Sequence, residues 1–420
     1  MNNARAHHNL SMDLLVYGIG ELATPVGREP KGGAGQGELT LVRDAYVLVQ
    51  DGRIAEVGEG RWPRFAGPTL DAEGRTVTPG LVDPHTHAVF AGNRVQEFLA
   101  RAKGERYTGG GILTTVQAVR EAPEGELVRL ARPRLMRVLE LGTTTVEIKS
   151  GYGLTLEAEL KLLRAIRRLG EELPLTVVPT FLGAHAFPPE IPREEYIRRV
   201  VEEMIPTVAG DGLARFCDVF CDQGFYTVAE ARTILRAARA AGLGVKVHAD
   251  ELSGVGAAEL AAELAATSAE HLLHVSEEGI ASLARSGTIA VLLPATAFLL
   301  DEPYPPARKL IGAGVPVALG TDFNPGSSPV ASLPLILSLA VLRMGMSPAE
   351  ALVAATLNAA AAIGLANEVG SLEPGKQADL VVWDAASYEE IPYWIGQNLG
   401  QAVVARGRVV WRSSPTPSST

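Results

Sequence analysis

From about residue 81 to residue 370 the chain alternates short apolar runs with longer amphipathic ones. Eight strand-like runs fall at 81–87, 143–149, 175–182, 216–222, 244–250, 267–272, 288–296 and 315–322. Between most of them lie helical patterns such as LEAELKLLRAIRRLGEEL and VAEARTILRAARAAG, apolar at three- and four-residue spacing. Such alternation implies parallel strands joined by crossover helices. A doubly wound sheet and a closed barrel both satisfy it, so the polar residues decide. His85, His87, Lys149, His185, Asp222, His248, His271 and Asp322 stand at or just past the C-terminal ends of the runs. In a barrel those ends converge on one face, where active sites sit. The expected fold is therefore α/β, a (β/α)8 TIM-like barrel over residues 81–370.

The flanks read differently. Residues 11–80 and 371–412 carry β-rich runs such as LTLVRDAYVLVQDGRIAEVGEG and QAVVARGRVVW, with Asp51-Gly52 as a hairpin signal. Two β segments bracketing a long middle predict one discontinuous β-sandwich domain. Residues 1–10 and 413–420 read as flexible tails, with His7 and His8 in the tail rather than as ligands. The Gly-rich stretch 28–38 reads as a flexible loop.

Composition narrows the partners. The 420 residues hold 38 basic and 48 acidic side chains, a net charge of −10, with no long Lys/Arg run. That balance argues against general nucleic-acid binding. The apolar stretches 288–300 and 330–342 fall short of the ~20 residues a membrane helix needs, and the N-terminus lacks the apolar core of a secretory signal. Only Cys217 and Cys221 occur, so no disulfide framework is expected. A cytoplasmic location fits best. The two cysteines, four residues apart in one run, read as small buried hydrophobes.

Two imidazoles at i and i+2 of a strand, as in His85-Thr86-His87, can share one ion. Singly, an HxH, the His248 that ends GVKV, and the Asp322 that ends VPVALGT are each more often structural. Together, on strands one, five and eight of a barrel, they offer three imidazoles and a carboxylate to Zn or Fe, leaving a position for water. An ion so held brings the pKa of its water toward ~7. Glu251, three residues past His248, suits proton transfer. His271 suits hydrogen bonding to a developing oxyanion, with a satisfied core histidine as the plain alternative; His274 reads as structural. Arg94 could clamp an anionic substrate, although by itself it reads as a surface arginine. Tyr152 and His185 could bind substrate or fix loops. Gly151, Gly153, Gly326 and the run 109–111 allow close backbone approach to a ligand, and none belongs to a phosphate-binding GxxxxGK[ST] pattern. Strand four, FCDVFCD, lacks the lysine that bridges two metals in some barrels, and Lys149 ends strand two. One ion per chain is therefore expected.

PGLVDPHTH, HADE and the strand-eight Asp322 resemble the amidohydrolase superfamily. FAGNR, GGGILTTVQAVREA, EIKSGYGL, FLGAHAFPPE, VHADELS and LGTDFNPGSSP narrow the resemblance, over about residues 11–411, to the imidazolonepropionase family of histidine degradation. The resemblance implies one Zn or Fe ion on His85, His87, His248 and Asp322. It implies a substrate pocket of Arg94, Tyr152, His185, Glu251, Asn324, Gly326 and Ser327, with Tyr107 as a further member. Catalysis would fall to Glu251, His271 and Asp322, with Glu251 or Asp322 as proton acceptor. The substrate would be 4-imidazolone-5-propanoate, the product N-formimidoyl-L-glutamate, and the assembly a homodimer acting on neither nucleic acid nor membrane. Glu270 stands where this family often has Asp. A cytosine-deaminase-like enzyme, a dinuclear cyclic amidase and a catalytically silent barrel are the competing readings.

Overall fold

The computed structural model describes residues 12–105 and 111–414. Tyr107, Gly109, Gly110 and most of both tails lie outside the described residues. Eight strands pair in sequence order, all parallel. They are Leu81–Asp83, Thr143–Lys149, Thr176–Ala184, Phe216–Cys221, Gly244–Ala249, Ser268–His271, Ile289–Leu292 and Val317–Leu319. Closure comes from the segments that follow the first and last strands. Thr86 and Phe323 form a parallel bridge. The Asp322 N–H donates to the His85 carbonyl at 3.0 Å, and the His87 N–H to the Phe323 carbonyl at 2.9 Å. The barrel seam is thus built from the HxH segment and the strand-eight aspartate.

Three expected strands are corrected by this geometry. The first ends at Asp83 rather than at residue 87, and the eighth covers Val317–Leu319 rather than 315–322. The seventh ends at Leu292, because Pro294 opens a helix, Pro294–Leu300, where its missing N–H costs nothing. No helix among the described residues is long and apolar enough to cross a membrane.

The crossover helices have sequence-encoded starts. Leu156–Glu172 begins at Thr155, whose hydroxyl accepts from the Ala158 N–H, and buries Leu162, Leu163, Ile166 and Leu169. Val228–Ala240 begins with a capping box of Thr227 and Glu230.

Both chain ends enter one further eight-stranded sheet. Leu380–Trp383 runs antiparallel to Thr76–Pro79, which continues through Leu14–Thr24 to Thr40–Gln50 and Arg53–Glu59. It is a continuous hydrogen-bonded sheet, and Val16, Val47, Ile54, Val77, Leu380 and Val404 of six of its strands share one apolar core. Asp51 and Gly52, at φ 49° and 76°, make the tight turn their sequence predicts. Trp383 seats this sheet on the barrel. Its indole donates to the Thr78 hydroxyl at 2.8 Å, and its ring lies where a Cβ at Gly142 would sit.

The stretch 28–38 is not a loose loop. It contains a short helical turn, Gly33–Gly37, whose Gln36 is fully buried. The Gln36 amide donates to the Val317 carbonyl at 2.9 Å and accepts from the Val317 N–H at 3.0 Å. The glycines serve close approach here, since a Cβ on Gly32 would lie 2.3 Å from the Gly314 carbonyl.

Candidate active site

The ends of strands one, five, six and eight bring five side chains together. His85 Nε2 and His87 Nε2 lie 3.3 Å apart. Asp322 Oδ1 stands 3.4 Å from the first and 3.6 Å from the second. Ligand atoms of His85, His87 and His248 all lie within 4.8 Å of one another, as do those of His85, His271 and Asp322. The four residues expected to hold an ion therefore meet, and His271 joins them. Asp250, His271, Leu272 and Asp322 all have left-handed backbone, φ 50° to 73°. Non-glycine residues adopt it rarely, and its concentration at these strand ends marks a place where the fold tolerates strain.

The donor chemistry fits a zinc or iron ion. His85 presents Nδ1 to Glu270 Oε2 at 2.5 Å, and His248 presents Nδ1 to Asp218 Oδ2 at 2.9 Å. A carboxylate at this distance favours the proton on Nδ1 of each ring, which leaves the Nε2 lone pair for a cation. With His87 and the Asp322 carboxylate this gives three nitrogen donors and one oxygen.

Glu251 Oε2 lies 3.4 Å from His271 Nε2. Burial, then the negative charges of Asp322 and Asp222, hold the Glu251 carboxyl well above its ordinary range. Burial holds His271 neutral by pushing its pKa well down. Asp222 fixes the Glu251 loop, accepting from the N–H groups of Glu251 and Leu252 at 2.8 and 2.7 Å and from the Ser253 hydroxyl at 2.6 Å. His274 is outside the pocket lining.

The pocket beside these groups is lined by Arg94, Ile112, Tyr152, His185, Phe220, Asn324 and Ser327 as well. The His185 ring stacks on that of His87, centroids 5.2 Å apart, and burial first, then neighbouring His248, lowers its pKa to about 3. Arg94 is buried rather than on the surface. Its guanidinium makes a two-point pair with Glu97 at 2.8 and 2.7 Å. It lies against Gly326, where a Cβ would come within 2.2 Å of Arg94 Cζ. Asn324 is committed to its own loop, accepting from the Gly326 and Ser327 N–H groups at 2.7 and 2.8 Å. Cys217 and Cys221 are free, buried and outside the pocket lining, and burial pushes the Cys221 thiol up to about 12.

Several residues that shape the site are given no role in it by the sequence. Glu159, fully buried, accepts from the N–H groups of Gly151, Gly153 and Leu154 at 3.0, 2.7 and 2.9 Å and so shapes the Tyr152 loop. The Thr296 hydroxyl donates to Asp322 Oδ2 at 2.7 Å. Below the ring, Glu147, Asp218, Lys246 and Glu270 surround Lys149, all without solvent exposure. The available signal was charge inside apolar strands, as in VEIK, FCDV and VKVH.

Comparison with known proteins follows the same lines. The model of the amidohydrolase family matches residues 76–410. An imidazolonepropionase from Symbiobacterium thermophilum is 52% identical over 95% of this chain and 97% of its own. One from Geobacillus kaustophilus is 50% identical over 94% and 96%. Among solved structures, a guanine deaminase from C. acetobutylicum with bound guanine superposes with a TM-score of 0.70 at 19% identity, covering 95% of this chain and all of its own. A zinc-bound adenosine deaminase from Xanthomonas campestris gives 0.70 at 22%, covering 94% of this chain and 92% of its own. These distant likenesses carry the fold. Identity over nearly the whole length carries the family: the chain belongs to the amidohydrolases and, within them, to the imidazolonepropionases.

Proposed function

We propose that the chain hydrolyses the ring C–N bond of 4-imidazolone-5-propanoate to give N-formimidoyl-L-glutamate. His85, His87, His248 and Asp322 hold one zinc or iron ion in this reading. The observation behind it is the meeting of these four groups beside Glu251 and His271 in a chain 52% identical to an imidazolonepropionase. When bound, such an ion supplies the Lewis acidity that activates water at neutral pH.

The chain's own residues do the rest. Glu251 takes the proton of the attacking water and returns it to the ring nitrogen that leaves. It suits this better than Asp322, whose Oδ2 accepts from Thr296 and Ser327 while its Oδ1 faces two histidines. Neutral His271 donates to the oxyanion that develops on the ring carbonyl. Arg94 and Tyr152 hold the propanoate, the carboxylate competing with Glu97 for the guanidinium. His185 orients the substrate ring. Asn324 keeps the loop of Gly326 and Ser327 in place beside Arg94. A cationic clamp of this kind is what an anionic substrate needs against a net charge of −10. The assembly is a symmetric dimer in the cytoplasm.

The test joins metal analysis to an imidazolonepropanoate assay on one sample, beside His248→Ala. About one ion per chain is expected, with turnover falling to background in His248→Ala. Ion bound without imidazolone turnover, or ammonia released from cytosine or guanine instead, would overturn the substrate. Light scattering checks the dimer.

A further inference from the structure

Beneath the ion-holding ring, the barrel encloses two lysines and three carboxylates, none exposed. The reaction proposed above uses none of them. Placing five charges out of water is costly unless every donor and acceptor is matched. Here each ammonium lies among carboxylates, and Glu270 Oε2 is held by ion pairs alone, without a well-directed hydrogen bond. Lys149 Nζ has three N–H donors and three carboxylate partners: Glu147 at 3.2 Å, Asp218 Oδ2 at 2.8 Å and Glu270 Oε2 at 2.9 Å. Lys246 Nζ likewise meets Glu147 at 2.6 Å, Glu270 Oε1 at 2.9 Å and the Pro84 carbonyl at 3.2 Å.

Two of these carboxylates are the ones that back His85 and His248. Glu270 Oε2 stands 2.9 Å from Lys149 Nζ and 2.5 Å from His85 Nδ1. Asp218 Oδ2 accepts from Lys149 and stands 2.9 Å from His248 Nδ1, while its Oδ1 accepts from the His248 N–H at 3.1 Å. Lys149 is the cation that touches both histidine-backing carboxylates. Lys246 touches one of them and also the carbonyl just before His85. The two carboxylates are thereby held in place behind the imidazoles of His85 and His248.

We propose that Lys149 and Lys246 are positioning residues for the ion site. Lys149 ties the Asp218–His248 pair to the Glu270–His85 pair, and Lys246 locks Glu270 to the backbone beside His85. Their effect is on how tightly an ion is kept, through the histidines, with no contact to substrate. The proposal rests on His85 and His248 being ligands.

The experiment uses zinc as the probe on full-length protein. Three quantities are measured: zinc release to a chromophoric chelator, melting of the metal-free protein, and the imidazole tautomers by long-range 1H–15N spectra. Lys149→Met should release zinc about 10–100-fold faster, the range for losing a partner behind a metal ligand, and should disturb the Nδ1–H signal of His248 more than that of His85. Lys246→Met should disturb His85 more. Should Lys149→Met fail to fold, Lys149→Met with Glu147→Gln removes one cation and one anion while leaving both histidine-backing carboxylates, and the same faster release is expected. Unchanged release and tautomers with a lower metal-free melting point would mean a structural role only and overturn the proposal. Release unchanged in His248→Ala as well would overturn the ligand assignment, whereas release faster in His248→Ala but unchanged in the lysine variants would overturn the proposal alone.

Discussion

The centre of the barrel and the core of the flanking sheet are both sealed from water and are built from opposite chemistry. The sheet encloses Leu14, Val16, Ile19, Val47, Ile54, Leu380 and Val404 and their apolar neighbours. The barrel centre encloses Glu147, Lys149, Asp218, Lys246 and Glu270 under a ring of histidines. Apolar burial stabilises at ~25 cal/mol per Å² and requires no particular partner. A buried ion pair returns little net stability, and breaking one side of it costs about 3–5 kcal/mol. Of these two regions the sheet core is the one that adds stability, as does the apolar layer between the barrel strands and their helices. The barrel centre is where stability is given up so that a few atoms stay in fixed places.

This contrast can be broken by substitution. Glu251→Gln should lower kcat/KM by about 10²–10⁴-fold with little change in melting. Its pH profile sharpens the point. Burial and the charges of Asp322 and Asp222 raise the Glu251 pKa, so its proton-accepting form gains as pH rises. The acid limb of kcat/KM should then lie above the ordinary glutamate value of ~4.3 and vanish in the variant. Leu380→Ala in the sheet should do the reverse, costing about 2–5 kcal/mol of stability in denaturant titrations while kcat and zinc release stay put. An equal loss of turnover there would erase the distinction between the two regions. The smallest effect is expected for Asp222→Asn, which weakens the anchor of the Glu251 loop by about 1–3 kcal/mol. It should appear as a lower kcat at unchanged zinc release, because Asp222 touches the loop and none of the four proposed ligands.

The sequence exposes one half of this site and hides the other. His85, His87, His248, His271 and Asp322 are legible because each ends an apolar run, and a parallel barrel gathers such ends on one rim. Arg94 reads as a surface residue because nothing local shows that Gly326, more than two hundred positions on, makes room for its guanidinium. Glu159 looks like an ordinary first-turn helix acid, and only the folded loop reveals the three N–H groups it accepts. Thr296 falls within an expected strand and turns out to lie in the first turn of the helix Pro294–Leu300, its hydroxyl donating to Asp322.

Local pattern determined the strand–helix alternation, the helix caps, the Asp51-Gly52 turn and the set of strand-end residues, because each depends on neighbours a few positions apart. Tertiary structure alone decided that the barrel closes through the HxH segment and not through its strands. It alone decided that the Gly-rich stretch packs as a turn around buried Gln36. It alone gathered the lysines and carboxylates of strands two, four, five and six beneath the proposed ion site. Those features depend on which distant atoms come within about 3 Å of each other, and a one-dimensional pattern carries no such distance.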